Sequence, residues 1–277
     1  MAEGAPKLNL VPGLGVEGVE ERMAQASGAL PAMPAGSQPP HVLVCTPSLG
    51  GTPCLEYQVS LLETVTRALA LGIIVDAAFV RGDPFVGKAR NNLVMQALAR
   101  RAENLFFIDD DQGWDAQSFL RIVADPHEVV AAAVPKKMDE VTYNNVDLVT
   151  DAAKNCLIEG GMMKARTVGT GFMRWRRSVL EKFIARYPET YVPGDGSQAM
   201  HHKVFEPGGK ILEGQFWGED LVWCKAWEAM GGELWIDPNV EFAHVGRKAW
   251  KGNFLKYLQE HCKVELAPAP VIQARAA

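Results

Sequence analysis

The alternation of short apolar runs with helical patterns between residues 41 and 134 is the feature that most constrains this chain. Four apolar runs are typical of buried strands, at residues 41–46, 73–80, 104–108 and 128–134. Apolar residues at helical spacing separate them, first from Leu55 to Leu69 after an N-cap at Thr52, next over residues 88–101, and then in a short helix that Asp115 can cap. This order predicts an α/β fold with a mostly parallel, Rossmann-like sheet and helices on both faces.

The region after residue 135 is less regular. Its predicted elements are a strand at 167–173, a helix opened by a capping box at Ser178, a buried helix at 219–230, strands at 233–237 and 240–244, and a helix at 250–261. Residues 1–40 are more than half Gly, Ala, Pro or Ser, which predicts a mostly disordered arm. Residues 267–277 predict a flexible tail, which leaves one folded domain over residues 41–266.

Charge and cysteine content exclude several classes of protein. Lys and Arg number 28 against 33 Asp and Glu, and the resulting charge of −5 argues against broad binding to nucleic acid. No apolar run reaches the ~18 residues of a membrane helix, and the chain does not open with a signal-peptide pattern. The five cysteines contain no CxxC motif. They therefore argue against a disulfide framework or a cysteine zinc site and predict a cytoplasmic protein.

Three consecutive carboxylates, Asp109, Asp110 and Asp111, directly follow the apolar run at residues 104–108. Ligands of open α/β sheets bind at the carboxyl ends of strands. Adjacent negative charges repel unless a cation joins them, and hard divalent cations take carboxylate oxygens. A metal there can neutralise a nucleotide diphosphate and stabilise it as a leaving group. The alternative is a solvated acidic turn that caps the next helix.

The segment LFFIDDDQGWD resembles the DxD segment of GT-A glycosyltransferases, family-2-like members above all, which move a sugar from a nucleotide-sugar donor. Three further segments are similar to motifs of that family and follow the same order: Lys88-Ala-Arg-Asn-Asn92, Gly169-Thr-Gly-Phe-Met-Arg-Trp-Arg-Arg-Ser178, and Trp217-Gly-Glu-Asp220 with the later strand that ends at His244. The resemblance spans about residues 41–250. It implies a GT-A-like domain with a nucleotide-binding half over 41–135 and an irregular acceptor half over 136–266.

The resemblance implies a metal site beside the donor. Asp111 is expected to bind a divalent metal, Mn²⁺ or Mg²⁺, with His244 completing the metal shell and Asp109 as a further ligand. Asp109 is also expected near the donor ribose, and Asp110 is expected to orient the turn or to reach the sugar. The alternative for His244 is an ordinary core or loop histidine.

The resemblance also implies contacts to the donor nucleotide. Thr46 and Pro47, after the first strand, are expected at the nucleotide base, and Asp83 at the base or ribose. Lys88 and Arg90 lie at a predicted helix N-terminus, which is a natural anion site. They are expected to contact the donor diphosphate or the DxD carboxylates, unless they form only an exposed basic helix start.

Catalysis and acceptor binding are assigned to the later motifs. The resemblance implies that Asp220, with Glu219 beside it, takes the proton from an acceptor hydroxyl, as in inverting members of the family. The alternative is that both acids only stabilise the N-terminus of their helix. Gly171 and Trp217 are expected on the acceptor side of the site.

The sequence as a whole predicts a metal-dependent glycosyltransferase that binds a nucleoside-diphosphate sugar, most simply a UDP-sugar, and transfers the sugar to a hydroxyl. Polysaccharide, protein, small-molecule and modified-DNA-base acceptors all remain open, without membrane insertion. A nucleotidyltransferase of related fold and a catalytically silent nucleotide-sugar-binding module are the alternatives.

Overall fold

The computed structural model describes residues 40–143, 145–192, 201–212, 214–246, 248–262 and 266. Apart from Pro40, the predicted arm and tail lie outside the described residues. The described strands are β1 His41–Ser48, β2 Ile74–Arg81, β3 Asn104–Ile108, β4 Gln112–Trp114, β5 Val129–Ala131, β6 Asp147–Leu148, β7 Ile158–Glu159, β8 Met162–Thr167, β9 Phe172–Arg176, β10 Tyr191–Val192, β11 His201–His202, β12 Lys210–Leu212, β13 Gln215–Trp217, β14 Leu234–Ile236, β15 Glu241–Val245 and β16 Ala249–Asn253. The helices are α1 Leu55–Ala70, α2 Val86–Arg100, α3 Ala116–Ala124, α4 Arg177–Arg186, α5 Glu219–Ala229 and α6 Phe254–Cys262, with a 3₁₀ turn at Pro188–Thr190.

A nine-stranded sheet of order β2-β1-β3-β9-β5-β14-β8-β6, with β7 on β8, forms the centre of the molecule. β1 pairs in parallel with β2 and β3, and β5 with β14. β9 and β8 run against their neighbours, whereas the other strands of this sheet share one direction. The predicted α/β fold is therefore confirmed, with β9 inserted antiparallel between β3 and β5.

Alternate residues of β1 and β3 enter two separate cores, one on each face of the sheet. Leu43 and Cys45 join the core that contains buried residues of α2, α4, α5 and α6. Val42 and Val44 join the core that contains residues of α1 and α3. Because a strand points successive side chains to opposite faces, this division places helices on both faces, as predicted.

The structure corrects several predicted boundaries in the second half. The strand predicted at 167–173 is two strands, β8 and β9, because Gly169, Thr170 and Gly171 form the connection between them. The capping box at Ser178 is wrong, since α4 begins at Arg177 and the Ser178 hydroxyl donates to Glu128 over 2.6 Å. The first part of the last predicted helix is instead β16, which pairs with β15.

The first helix also packs differently from its apolar pattern. Leu55, Leu62 and Leu69 are exposed, while the buried residues of α1 include Ser60 and Thr64. Trp114 explains this orientation, since its backbone N–H donates to Ser60 and its indole N–H donates to Thr64. The helix is capped by Cys54 rather than Thr52. Among the described residues, no helix combines the length and the apolar character needed to cross a bilayer.

Candidate active site

The acidic turn after β3 is held by one backbone hydrogen bond per residue, each to a different element. The Asp109 N–H donates to the Gly171 carbonyl over 3.1 Å, the Asp110 carbonyl accepts from the Cys54 N–H at 2.9 Å, and the Asp111 carbonyl accepts from the Val245 N–H at 2.7 Å. The three backbone groups are thus fixed by the β8–β9 connection, the start of α1 and β15. As a result, the three carboxylates point to different partners.

Asp111 and His244 face each other. β15 pairs antiparallel with β4 and sets His244 opposite Gln112, which brings its imidazole Nε2 to 3.4 Å from Asp111 Oδ1. The His244 Nδ1 lies 2.7 Å from the Pro135 carbonyl, which can only accept, so Nδ1 carries the proton. In the neutral imidazole the Nε2 lone pair then faces a carboxylate oxygen, and a cation or a second proton between them relieves the repulsion.

This pair fits a divalent metal. Asp111 Oδ1 is buried and accepts no hydrogen bond, and an imidazole whose other nitrogen donates to a carbonyl is the usual form of a histidine ligand. Within the described residues no group of three His, Cys, Asp or Glu side chains assembles as a metal site. Mn²⁺ and Mg²⁺ commonly take one or two protein ligands and complete their shell with water and substrate phosphates. Two ligands therefore suffice for a metal that arrives with a diphosphate.

Lys137, which the sequence reading missed, contacts the other oxygen of Asp111. Its Nζ lies 2.5 Å from Asp111 Oδ2. Burial would raise the pKa of Asp111, but the positive charges of Lys137 and of His244 in its protonated form outweigh it and the pKa is lowered. Lys137 also lines a cleft beside this turn, where its ammonium can meet a phosphate. The sequence does contain a signal for Lys137. Lys136 and Lys137 follow strand β5, and parallel sheets bind ligands at the carboxyl ends of their strands.

Asp109 contacts a buried arginine rather than the Asp111–His244 pair. Arg90 is 4% exposed; its guanidinium donates to Asp109 over 2.9 Å and to Glu219 over 2.5 Å. Burial opposes the charge on Arg90, but Asp109 and Glu219 outweigh it and raise the Arg90 pKa. Burial raises the pKa of Glu219 against the effect of Arg90. The structure therefore does not bring Asp109 to the Asp111–His244 pair, and its carboxylate neutralises Arg90 instead.

Asp110 faces the first strand. Its Oδ2 accepts from the Ser48 hydroxyl at 2.5 Å, and burial is the main cause of its raised pKa, partly offset by Ser48. Ser48 is the last residue of β1, the strand end to which the sequence reading assigned the nucleotide. Asp110 rather than Asp109 is therefore the carboxylate on that side of the turn.

The remaining side of the turn borders a cleft of about 470 Å³. Asp109, Gly171 and Arg90 line it together with Glu219, Asp220 and His244. Asp220 Oδ1 accepts from the N–H of Leu221, and its Oδ2 would lie 3.5 Å from a Cβ added at Gly169. The structure thus brings Asp109 of the acidic turn, His244 and the predicted base into one cleft, with Asp111 beside it at His244.

Several predicted nucleotide and acceptor contacts have local partners and do not line this cleft. Thr46 is buried and hydrogen-bonds the Tyr57 hydroxyl at 2.6 Å, and Pro47 is buried beside it in β1. Asp83 caps the Phe85 N–H at 3.0 Å and pairs with Lys88 at 3.5 Å. Trp217 donates to the Leu212 carbonyl at 3.3 Å, and Lys225 lies over its ring.

The basic cluster at residues 174–177 has a structural role at Arg174. This side chain is fully buried and donates to the carbonyls of Ile122, Asp125, His127 and Glu128 around the end of α3. Burial, with Arg176 nearby, lowers its pKa to about 9. Arg174 therefore offers no charge to a nucleic-acid backbone.

Neither a protein-family model nor a curated protein matches this chain. The solved structures that it resembles include A197 from STIV, with 14% identity, a TM-score of 0.44 and coverage of 75% of this chain and 86% of that chain. TarS 1-349 from S. aureus shares 14% identity with a TM-score of 0.37, over 71% of this chain and 57% of that chain. The nucleoside-diphosphate-sugar pyrophosphorylase from Vibrio cholerae RC9 shares 9% identity with a TM-score of 0.32, over 79% and 78%.

Proposed function

We propose that the cleft binds a nucleoside-diphosphate sugar with a divalent metal and transfers the sugar to an acceptor hydroxyl. The observation that carries the proposal is the Asp111–His244 pair, in which Oδ1 and Nε2 lie 3.4 Å apart and the Pro135 carbonyl fixes the imidazole tautomer. Asp111 and His244 would hold the metal, Mn²⁺ or Mg²⁺. When bound, it would supply positive charge to the leaving diphosphate.

The charged residues around the pair divide the remaining tasks. Lys137 lies beside Asp111 and would bind a phosphate oxygen of the donor. Asp110 and Ser48, at the end of β1, would face the ribose, and we assign that role to Asp110 in place of Asp109. Arg90 would position the turn, because it joins Asp109 to Glu219 at the start of α5.

Asp220 is the better of the two candidate bases. Glu219 is engaged by Arg90 at 2.5 Å, whereas the Asp220 Oδ2 lies toward Gly169 in the cleft. A base must come within hydrogen-bond reach of the hydroxyl that it deprotonates. In this proposal Asp220 takes that proton as the acceptor oxygen bonds to the sugar carbon, and the bond to the diphosphate breaks.

The test is calorimetric titration of UDP with and without Mn²⁺ on the wild type, Asp111→Ala and a matched exposed acid, Asp147→Ala. Wild type and D147A should bind UDP more tightly with Mn²⁺, and D111A should lose about 10²-fold or more of this metal-dependent affinity. If D111A binds UDP as tightly as the wild type both with and without Mn²⁺, the proposal is contradicted. A donor panel read by released nucleoside diphosphate then tests turnover, and binding with no turnover on any acceptor would indicate a silent module.

One observation favours nucleotidyl transfer as a second candidate. Enzymes of that class use a basic residue at the Gly-rich loop that follows the first strand. The corresponding loop here, Ser48-Leu-Gly-Gly51, contains no Arg or Lys. The structure nevertheless brings a basic side chain to it, since a Cβ added at Gly51 would lie 2.4 Å from Arg81 Cδ. Release of pyrophosphate from a nucleoside triphosphate and a sugar phosphate would support this second candidate.

A further inference from the structure

Several buried polar atoms without a hydrogen-bond partner lie at the cleft or beside it. They include Arg90 Nε, Asp111 Oδ1, Gln112 Oε1 and Thr170 Oγ1. A buried polar atom that stays unpaired costs stability, so native structures keep few of them and each calls for a reason. Arg90 and Asp111 already have charged partners. Gln112 and Thr170 are neutral, and no role assigned so far uses them.

Both side chains belong to the floor of the cleft. Gln112 and Thr170 are each 1% exposed and line the cleft. A Cβ added at Gly171 would lie 2.5 Å from Gln112 Nε2 and 3.0 Å from Asp109 Oδ2. The glycine therefore keeps open a space that the Gln112 amide and the Asp109 carboxylate border.

The floor lies between the two ends of the proposed reaction. Gln112 directly follows Asp111 and pairs in β4 opposite His244, on the metal side. Thr170 adjoins Gly169, which Asp220 approaches on the side of the base. A donor held by its diphosphate at one end and attacked near Asp220 at the other must place its transferred sugar over this floor.

We propose that Gln112 and Thr170 bind hydroxyl groups of the transferred sugar and help to select it, an inference that rests on the proposed function. An amide oxygen accepts from a hydroxyl, and a threonine hydroxyl can accept from or donate to one. Both groups are neutral, so they suit a sugar hydroxyl better than a phosphate, for which Lys137 is available. A site built to pair hydroxyls discriminates strongly against analogues that leave its polar groups unpaired.

The test uses variants that keep shape and remove polarity, Gln112→Met and Thr170→Val, with Thr64→Val as a matched buried control on α1. Thermal unfolding of the ligand-free protein is measured first. Calorimetry in Mn²⁺ then compares UDP, UDP-glucose, UDP-galactose, UDP-N-acetylglucosamine, GDP and GDP-mannose. Each cleft variant should bind the preferred nucleotide sugar about five- to tenfold more weakly, with the nucleoside diphosphate unchanged.

The same variants should make the free protein more heat-stable, because they remove an unpaired buried polar group. T64V should do the reverse, since it leaves the Trp114 indole N–H without its acceptor, and it should not change the ratio of sugar-nucleotide to nucleotide affinity. A lower melting temperature in both cleft variants, with unchanged ratios, would show a packing role and overturn the proposal.

The other outcomes separate the two proposals. Equal losses for nucleotide and nucleotide sugar would place the hydroxyls on the ribose and overturn this inference alone. No binding of any probe by the wild type would overturn both the proposed function and this inference. Weaker discrimination between UDP-glucose and UDP-galactose in Q112M, with intact UDP affinity, is the result expected here.

Discussion

Of two cavities in the described structure, the larger is not the one that contains the candidate site. A groove of about 790 Å³ lies between α1 and the β15–β16 hairpin, whereas the acidic cleft measures about 470 Å³. Among the described residues, none that lines the groove has a buried polar atom without a partner, but Arg90, Gln112 and Thr170 of the cleft each do. Polar groups of the groove are paired within the protein; for example, the backbone N–H of Trp114 donates to the Ser60 hydroxyl. Between these two cavities, unpaired buried polar atoms distinguish the candidate site and volume does not.

Arg90→Met should be the most damaging single change to the stability of the cleft. It leaves Asp109 and Glu219 without their cation, and removing one partner of a buried ion network costs about 3 kcal/mol or more of unfolding free energy. Lys256→Ala is the groove counterpart and breaks an exposed pair with Glu241, with no measurable loss expected. Urea unfolding measures both, and equal losses would remove the distinction between the two regions.

Two glycines allow a matched test of activity. A Cβ at Gly171 meets the Gln112 amide and the Asp109 carboxylate, so Gly171→Ala should reduce transfer about 10²-fold through misplacement of the site. A Cβ at Gly113 would lie 2.8 Å from Glu56 Cβ on α1. Gly113→Ala should cost about 1–3 kcal/mol of stability by overpacking and leave transfer unchanged. Transfer assays under conditions in which both variants remain folded distinguish them. An active G171A would argue against the cleft as the site of transfer.

The parts of the fold that follow from local pattern were predictable. The order of strands and helices in the first half, the cap of α3 at Asp115 and the α/β class follow from periodicity and capping chemistry. The antiparallel insertion of β9 did not follow, because no local signal sets which strands become neighbours. The apolar pattern of α1 did not show which face of the helix is buried, for the same reason. Trp114, 50 residues beyond Thr64, decides it.

The candidate site shows the same limit. The acidic turn and His244 carry signals in the sequence, and the structure brings Asp111 and His244 together. The division of labour among Asp109, Asp110 and Asp111 depends on distant partners, Arg90, Ser48 and Lys137, and was assigned differently from sequence. The hydrogen bond between the hydroxyls of Thr46 and Tyr57 is another long-range contact that the sequence did not reveal.

The contributions of Asp110 and Asp111 to stability should change with pH in opposite directions. The Asp110 pKa is raised in the folded state, so its contribution to stability is present below the unfolded value of about 3.9 and is lost as pH rises. The Asp111 pKa is lowered, so its contribution is present above about 3.9 and is lost as pH falls. Asp110→Asn should therefore stabilise the protein at pH 7 and Asp111→Asn destabilise it. Lowering the pH toward 3.5 should bring the urea midpoint of D110N close to that of the wild type and reduce the D111N deficit only in part, because the folded-state pKa of Asp111 lies lower. Shifts of the same sign at pH 7 would contradict this.

The smallest effect is expected from filling the groove. Val59 and Val86 are valines on helices, 47% and 37% exposed, that line the groove and the cleft respectively. Val59→Trp should change stability by no more than about 0.5 kcal/mol, because the site is half exposed, and should leave UDP binding in Mn²⁺ unchanged. Val86→Trp places the same bulk at the cleft and should weaken that binding. If V59W weakens it and V86W does not, the donor binds in the groove, and unpaired polarity is the wrong guide to the site.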